Sequence, residues 1–239
     1  MPDNTTSRLT WLGHSTVLIE TSEGKVIYID PWLDGNPACP ESEKVGRRMD
    51  AILLTHGHFD HIGSAVELAL QHSPQVICNH ETSVWLESKG VQNAVGMNKG
   101  GTVEVAGCKA TMVSADHSCG IQDGERLLYG GEAAGFVITL PDGFRVYHAG
   151  DTNIFGDMKL IGELYRPDLA FLPIDGHYNM SPVEAALAVK LLGIPRVVPV
   201  HFGTFPILTG TPADLRERTA DLGVEVIELE RGGSWGGQA

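Results

Sequence analysis

The residues best equipped for chemistry lie together. Thr55-His56-Gly57-His58-Phe59-Asp60-His61 places three imidazoles and a carboxylate within six positions. They follow the apolar run Ala51-Ile52-Leu53-Leu54, which reads as a buried strand. The cluster therefore falls where a strand gives way to a loop, a frequent station for catalytic groups on a rigid scaffold. Histidine nitrogen and aspartate oxygen suit zinc and its first-row neighbours. A ligand set this dense needs a charge to hold it together, and a metal supplies one. The bland alternative, a polar turn of solvated histidines, is set aside by distant partners of the right types. A purely structural zinc site is usually closed by four protein ligands, often cysteines, and this chain has no Cys-x-x-Cys pair. Open, catalytic coordination is the expectation.

Three remote residues share one property: each closes an expected strand. His117 follows residues 110–115, Asp151 follows 146–150, and His201 follows 196–200. Side chains at strand ends can converge on one edge of a layered fold, whereas mid-strand positions are fixed in the core. Any one of them alone reads as an ordinary surface or core residue; beside the dense cluster they form a set. His14 and His177 each follow a glycine in an expected loop. Either one protonates a leaving oxygen, since imidazole titrates near neutral pH, or it is a structural histidine donating to a backbone carbonyl. Cys119, two residues after His117, is near enough in sequence to approach the site, though a free cysteine more often acts as a small core residue. His72, His80 and His148 have no comparable context. Phe205, Pro206, Ile207 and Leu208 form either an apolar wall beside His201 or a plain loop.

The elements that must position these groups follow from periodicity and turn chemistry. Residues 9–12, 16–20 and 25–29 are short β-prone runs, the last two joined through Thr21-Ser22-Glu23-Gly24. Asp30-Pro31-Trp32-Leu33-Asp34-Gly35 breaks regular structure. Ile62, Ala65, Val66, Ala69 and Leu70 recur at helical spacing, so one helix is expected directly after the ligand loop. Residues 76–78 read as a strand, 81–88 as a short helix closed by Gly90, and 100–115 as two strands turning at Gly107. Residues 136–140 and 144–148 flank Pro141-Asp142-Gly143, a hairpin signal. Residues 168–172 and 196–200 are apolar strands. Ser181-Pro182-Val183-Glu184 opens a helix with a capping serine, proline at the first helical position and glutamate three residues after the cap. Thr211-Pro212-Ala213-Asp214 starts another by the same logic. A closing strand is expected over 224–229 and a frayed, glycine-rich tail over 231–239. The pattern predicts one α/β domain over residues 1–239, with two packed sheets, helices outside, and two pseudo-equivalent halves meeting near 116–135.

Composition narrows the partners. Hydrophobic residues make up 42% and charged residues 20%, enough for a core and against disorder. Seventeen Lys and Arg against 30 Asp and Glu give a net charge of −13, which disfavours nucleic acid and anionic membrane. An anionic substrate stays possible, because two divalent ions in a pocket would reverse the local sign. Met1-Pro2-Asp3-Asn4-Thr5-Thr6-Ser7 lacks the basic and apolar stretches of a secretory signal, and no apolar run reaches bilayer length. Cys39, Cys78, Cys108 and Cys119 follow no framework spacing, so free thiols in a cytoplasmic protein are expected. Composition permits either a monomer or a homo-oligomer.

His56-x-His58-x-Asp60-His61, followed in order by His117, Asp151 and His201, resembles the metallo-β-lactamase superfamily signature, and the likeness spans essentially the whole chain. The resemblance implies a four-layer αβ/βα sandwich with two mixed sheets and a dinuclear site at one sheet edge. It implies that His56, His58 and His117 hold a first metal, that Asp60, His61 and His201 hold a second, and that Asp151 bridges them. Trp11-Leu12-Gly13-His14-Ser15-Thr16, Asp30-Pro31-Trp32-Leu33, His148-Ala149-Gly150-Asp151-Thr152 and Pro173-Ile174-Asp175-Gly176-His177-Tyr178-Asn179-Met180 further resemble a bacterial and archaeal group of metal-dependent hydrolases. That group is similar to ascorbate-6-phosphate lactonase and to the phospholipase D acting on N-acyl-phosphatidylethanolamine. Its usual loop reads closer to Gly-Gly-His-Phe-Thr-Met, so Asp175, Tyr178 and Asn179 are departures. True β-lactamases usually place cysteine where this chain has Asp151, and iron-based redox relatives usually place glutamate at the position of His58.

The implied chemistry is metal-assisted hydrolysis of an ester, lactone or phosphodiester. Two divalent ions about 3.5–4 Å apart share a water, lower its pKa toward neutrality and polarise the attacked oxygen. Zinc is the expected metal, with manganese, iron(II) or nickel as substitutes. Asp60 is expected to orient the nucleophile while it ligates. A phosphodiesterase or nuclease-type enzyme is the alternative within catalysis, and a non-catalytic metal-binding module the alternative outside it.

Overall fold

The computed structural model describes residues 5–237. The chain opens with β1 (Arg8–Trp11), β2 (Val17–Glu20) and β3 (Val26–Ile29), an antiparallel meander whose short turns allow no other pairing. From Ile29 the chain leaves the sheet and returns parallel to β3 as β4 (Ala51–Leu53). Helices α1 (Phe59–Ile62) and α2 (Ala65–His72) then cross over to β5 (Gln75–Asn79), and α3 (His80–Ser88) crosses to β6 (Ala94–Met97), both again parallel. Between Met97 and Thr102 the chain passes to a second sheet and repeats the plan. There β7 (Thr102–Val105), β8 (Cys108–Ser114), β11 (Ala134–Thr139) and β12 (Arg145–His148) pair antiparallel. Between β8 and β11, β9 (Gly120–Asp123) and β10 (Arg126–Tyr129) form a separate two-stranded hairpin. Helices α4 (Met158–Tyr165), α5 (Pro182–Leu192) and α6 (Pro212–Arg218) connect β12 in parallel to β13 (Leu169–Pro173), β14 (Arg196–Val200) and β15 (Glu225–Val226). Finally β16 (Ser234–Gly236) returns to the first sheet beside β1.

Each sheet has seven strands, and both faces of each are covered. Along β3, Ile27 and Ile29 point between the sheets while Tyr28 points to the helices. Along β13, Leu169 and Phe171 point inward while Ala170 and Leu172 point outward. This period-two division explains why the strands read as unbroken apolar runs. One core lies between the sheets around Ile19, Leu53, Phe136, Val146 and Phe171. A second packs α4, α5 and α6 on the second sheet through Met158, Ile161, Val189 and Leu215. A third packs α1, α2 and α3 on the first sheet through Ile62, Leu68 and Leu86. The result is the helix–sheet–sheet–helix sandwich that the sequence implies. Among the described residues, no helix is long and apolar enough to cross a membrane.

Two local expectations need correction. The single helix after the ligand loop is two helices, broken at Gly63-Ser64, because the chain there presses against Trp32. A Cβ on Gly63 would meet Phe59 O at 2.6 Å and Trp32 Cδ1 at 2.7 Å. The tail up to residue 237 is not frayed: β1 would otherwise be an open sheet edge, and β16 closes it with the Trp235 ring tilted against Phe144 at 5.4 Å. Residues 238–239 of that stretch, and residues 1–4 of the amino-terminal segment, lie outside the described residues. The expected strand over 224–229 shortens to Glu225–Val226. The capping box at Ser181 and Glu184 forms as expected.

Candidate metal centre

Every group at the centre hangs from the carboxyl end of a strand. From the first sheet, β3 delivers Asp30, and β4 delivers the turn from Thr55 into α1 that carries His56, His58, Asp60 and His61. From the second, β8 leads to His117, β12 to Asp151, β13 to Asp175 and β14 to His201. Several of these turns use left-handed backbone. Of the six described non-glycine residues with positive φ, three are His14 (55°), Asp30 (49°) and His201 (58°). Such conformations cost energy and persist where the surroundings enforce them. Here the His14 carbonyl accepts from His201 N–H at 2.9 Å and from Trp11 Nε1–H at 2.8 Å. Gly150, with φ at 63°, lets Asp151 approach the first sheet: a Cβ there would stand 2.7 Å from Thr55 Cβ.

Hydrogen bonding behind the histidines decides which ring nitrogen faces inward. The Thr55 hydroxyl donates its one proton to Asp30 Oδ2 at 2.6 Å, so at 3.0 Å it must accept from His56 Nδ1–H. His56 therefore turns a bare Nε2 to the interior. His61 Nδ1 donates to Asp30 Oδ2 at 2.8 Å, and His201 Nδ1 lies 3.0 Å from Asp175 Oδ2, which again leaves Nε2 inward on both rings. His58 meets Ser118 Oγ through Nε2 at 3.2 Å and turns Nδ1 inward, 3.0 Å from His56 Nε2. This is the carboxylate-behind-histidine arrangement of protein metal sites.

The inward atoms fall into two groups. His56, His58 and His117 form one, and His14, Asp60, His61 and His201 the other; within each, ligand atoms lie within 4.8 Å of one another. Asp151 stands between them, with Oδ1 3.2 Å from His61 Nε2, and Oδ2 3.2 Å from His201 Nε2 and 3.6 Å from His117 Nε2. Despite these short approaches, His61 Nε2, His201 Nε2 and Asp151 Oδ1 are buried without a properly directed hydrogen bond. Buried polar atoms that face one another without a hydrogen bond are atoms that a bound cation would satisfy. The residues fit a bound metal.

The charges of the cluster are strongly coupled. Burial opposes the charged form of His61, but Asp151 and Asp30 outweigh it and raise its pKa to about 10. His201 is raised well above its ordinary value: burial again opposes, and Asp151, Asp175 and Asp60 prevail. Burial would push Asp151 up, yet the charges of His201 and His61 hold it well below the carboxylate range.

The other candidates divide. His14 is fully buried and reaches the second group, where Nε2 donates to Asp60 Oδ2 at 2.9 Å and Nδ1 shares a hydrogen bond with Thr204 Oγ1 at 3.0 Å. Burial, then the neighbouring His201, lowers its pKa to about 4, so it stays neutral. His177 is not brought to the cluster; it is exposed, with its ring edge-on to Tyr178 at 4.5 Å. Cys119 sits behind the ligand loop, accepting from Gly57 N–H at 3.3 Å and donating to Gly130 O at 3.0 Å. His148 is a buried strut whose Nε2 meets Ser15 O at 3.0 Å. Asp30, Thr55 and Asp175 are the functional residues that residue type and spacing did not single out. Asp30 and Asp175 carried the same signal as the remote ligand candidates, a ligand-type side chain just past an apolar strand. Above the ligands opens a cleft of about 580 Å³, reached by His14, His58, Asp60, His117, Asp151 and His201.

Comparison with known proteins agrees with this architecture. Residues 25–202 match the family described as the beta-lactamase superfamily domain. The chain is 52% identical over 228 residues to a UPF0173 metal-dependent hydrolase of Koribacter versatilis, covering 95% of this chain and 97% of that protein. It is 55% identical over 224 residues to another of that name from Solibacter usitatus, covering 94% and 97%. The solved structure of Igni18, a metallo hydrolase from the archaeon Ignicoccus hospitalis, superposes with a TM-score of 0.84 at 36% identity, covering 95% of this chain and 97% of that one. The chain therefore belongs to the beta-lactamase superfamily and, within it, to the UPF0173 metal-dependent hydrolases.

Proposed function

We propose that this enzyme hydrolyses an ester, lactone or phosphodiester with two divalent cations, zinc in preference to manganese, iron or nickel. His56, His58 and His117 would hold one, Asp60, His61 and His201 the other, with Asp151 between them. The observation that carries this reading is the convergence of these imidazoles and carboxylates, with His56, His58 and His61 hydrogen-bonded on the far side of the ring and Asp175 Oδ2 3.0 Å behind His201 Nδ1. When bound, such a pair of cations supplies Lewis acidity and acidifies water at neutral pH.

The chain's own residues supply position and proton handling. Asp60, held by the neutral His14, is an ionised acceptor at the cleft floor, suited to orient attacking water by accepting a hydrogen bond from it. Burial would raise its pKa, but the hydrogen bond from His14 and the His201 ring 3.7 Å away bring it far below the usual range. His14 thereby acts as a positioning residue. Its one Nε2 proton is committed to Asp60, which leaves none there for a leaving group.

Alanine at Asp151 or His58 is expected to bring turnover to background and to lower the metal content found by elemental analysis. Full activity in metal-free protein would overturn the proposal. Tight metal uptake with no hydrolysis across a broad panel would instead favour a metal-binding module.

A further inference from the structure

The cleft has a floor built for metals and walls of a different character. Phe59, Leu127, Phe205, Ile207 and Tyr178 line it, and no lysine or arginine does. Four of them show large exposed surfaces: Phe59 is 59% exposed, Leu127 73%, Tyr178 59% and Ile207 47%. These come from four separate segments, so local sequence does not explain their meeting. Large apolar side chains held at the rim of a polar site mark a ligand surface.

Two of the walls are buttressed. Buried Trp32 lies beneath Phe59 with ring centroids 5.6 Å apart and stacks on Phe205 at 6.0 Å. The β9–β10 hairpin sets Leu127. Its inner face buries Ile121, paired across from Leu128, in the core of the first sheet and its helices. Its outer face carries Gln122 opposite Leu127, and both reach the cleft. A half-buried hairpin is expected to be polar on the outside, and leucine there breaks that rule at the site's mouth. Gly120 gives the side chain its seat, since a Cβ there would meet Leu127 Cδ1 at 2.9 Å.

Resting on the hydrolase reading above, we infer that the substrate is an uncharged carboxylic ester or lactone with a medium-length apolar acyl group. The acyl chain lies against Leu127, Phe205 and Ile207, and the carbonyl lies over the ligand cluster. A phosphate monoester would have to place its second charge against these same apolar walls, with no lining cation to receive it. In the reaction, a water oxygen bonds to the acyl carbon and the acyl C–O bond breaks. One water proton passes to the departing oxygen, which gives an acid and an alcohol, or a hydroxy acid from a lactone.

The test uses metal-loaded protein with 4-nitrophenyl acetate, butyrate and octanoate, beside 4-nitrophenyl phosphate and bis(4-nitrophenyl) phosphate. The ratio of kcat/KM for octanoate over acetate is expected to be roughly ten- to a hundredfold, from partial burial of the added methylenes. Leu127→Ser should cut that ratio several-fold, whereas Leu164→Ser, on the distant face of α4, should leave it unchanged. Calorimetry on the same protein with non-hydrolysable ketones gives a second readout, with 2-decanone binding more tightly than 2-butanone. Turnover of bis(4-nitrophenyl) phosphate with no preference among the esters would overturn this inference and leave the hydrolase reading standing. No turnover of any substrate by protein carrying its full metal complement would overturn both.

Discussion

Asp30 and Asp175 decide which nitrogen His61 and His201 present to the centre, and through Thr55 Asp30 also sets His56. Asparagine at either position can still hydrogen-bond, but it loses the charge that favours one tautomer. Asp30→Asn and Asp175→Asn are therefore expected to weaken metal binding by roughly 10–100-fold, read by competition with a chromophoric chelator. Unchanged affinity would mean that packing alone orients the rings. His177 poses the opposite test. Because its ring stands outside the cluster, His177→Gln should leave the pH–rate profile in place; loss of one limb would make it the acid after all.

Among the elements, the β11–β12 hairpin shows how an exposed turn is tied to the chain's beginning. Asp142 accepts from the Thr5 hydroxyl, from Phe144 N–H at 3.1 Å and from Thr6 N–H at 3.0 Å. Partial burial would raise its pKa, but these donors outweigh it, and the net shift is downward. A carboxyl lowered on folding adds stability that is complete above its unfolded pKa of about 4 and is lost as pH falls through the folded value. Asp142→Asn should then cost about 0.5 kcal/mol at pH 7, a small figure because solvent screens the turn. The gap to the parent protein should close below about pH 4, measured by urea denaturation across pH. A gap independent of pH would assign the effect to geometry rather than charge. The hairpin's existence was legible from Pro141-Asp142-Gly143, because turn chemistry is local. Strands β6, β9 and β10 and helix α4 were not. Their apolar positions are few, and what defines them is the neighbour they pair or pack with.

For the whole molecule, the decisive fact is that the proposed ligands come from two sheets packed against each other across a shared core. His56, His58, Asp60 and His61 come from the first sheet, His117, Asp151 and His201 from the second. Phe136 lies fully buried between them. Phe136→Ala is expected to cost about 3–5 kcal/mol and, by loosening the register of the two ligand sets, to weaken metal binding as well. Chemical denaturation and chelator competition on the same variant check both parts; lost stability with intact affinity would show that each half-site orders itself. Metal should in turn bolt the sheets together. Stripping it with a chelator is expected to lower Tm, as for any ligand that binds only the folded state.

Residue types and order alone indicated that a dense histidine–aspartate turn and the strand-end residues His117, Asp151 and His201 come together, as they do in the fold. They also determined that apolar runs alternating with amphipathic stretches build layered sheets. Those signals are local, or recur at fixed spacing, and survive in one dimension. Only the folded chain decided which nitrogen of each ring turns inward, that His14 braces Asp60 while His177 stands aside, and that Leu127 faces the cleft. Each of these depends on contacts between segments tens to nearly two hundred residues apart, and such contacts come into being only when both sheets close on their common core.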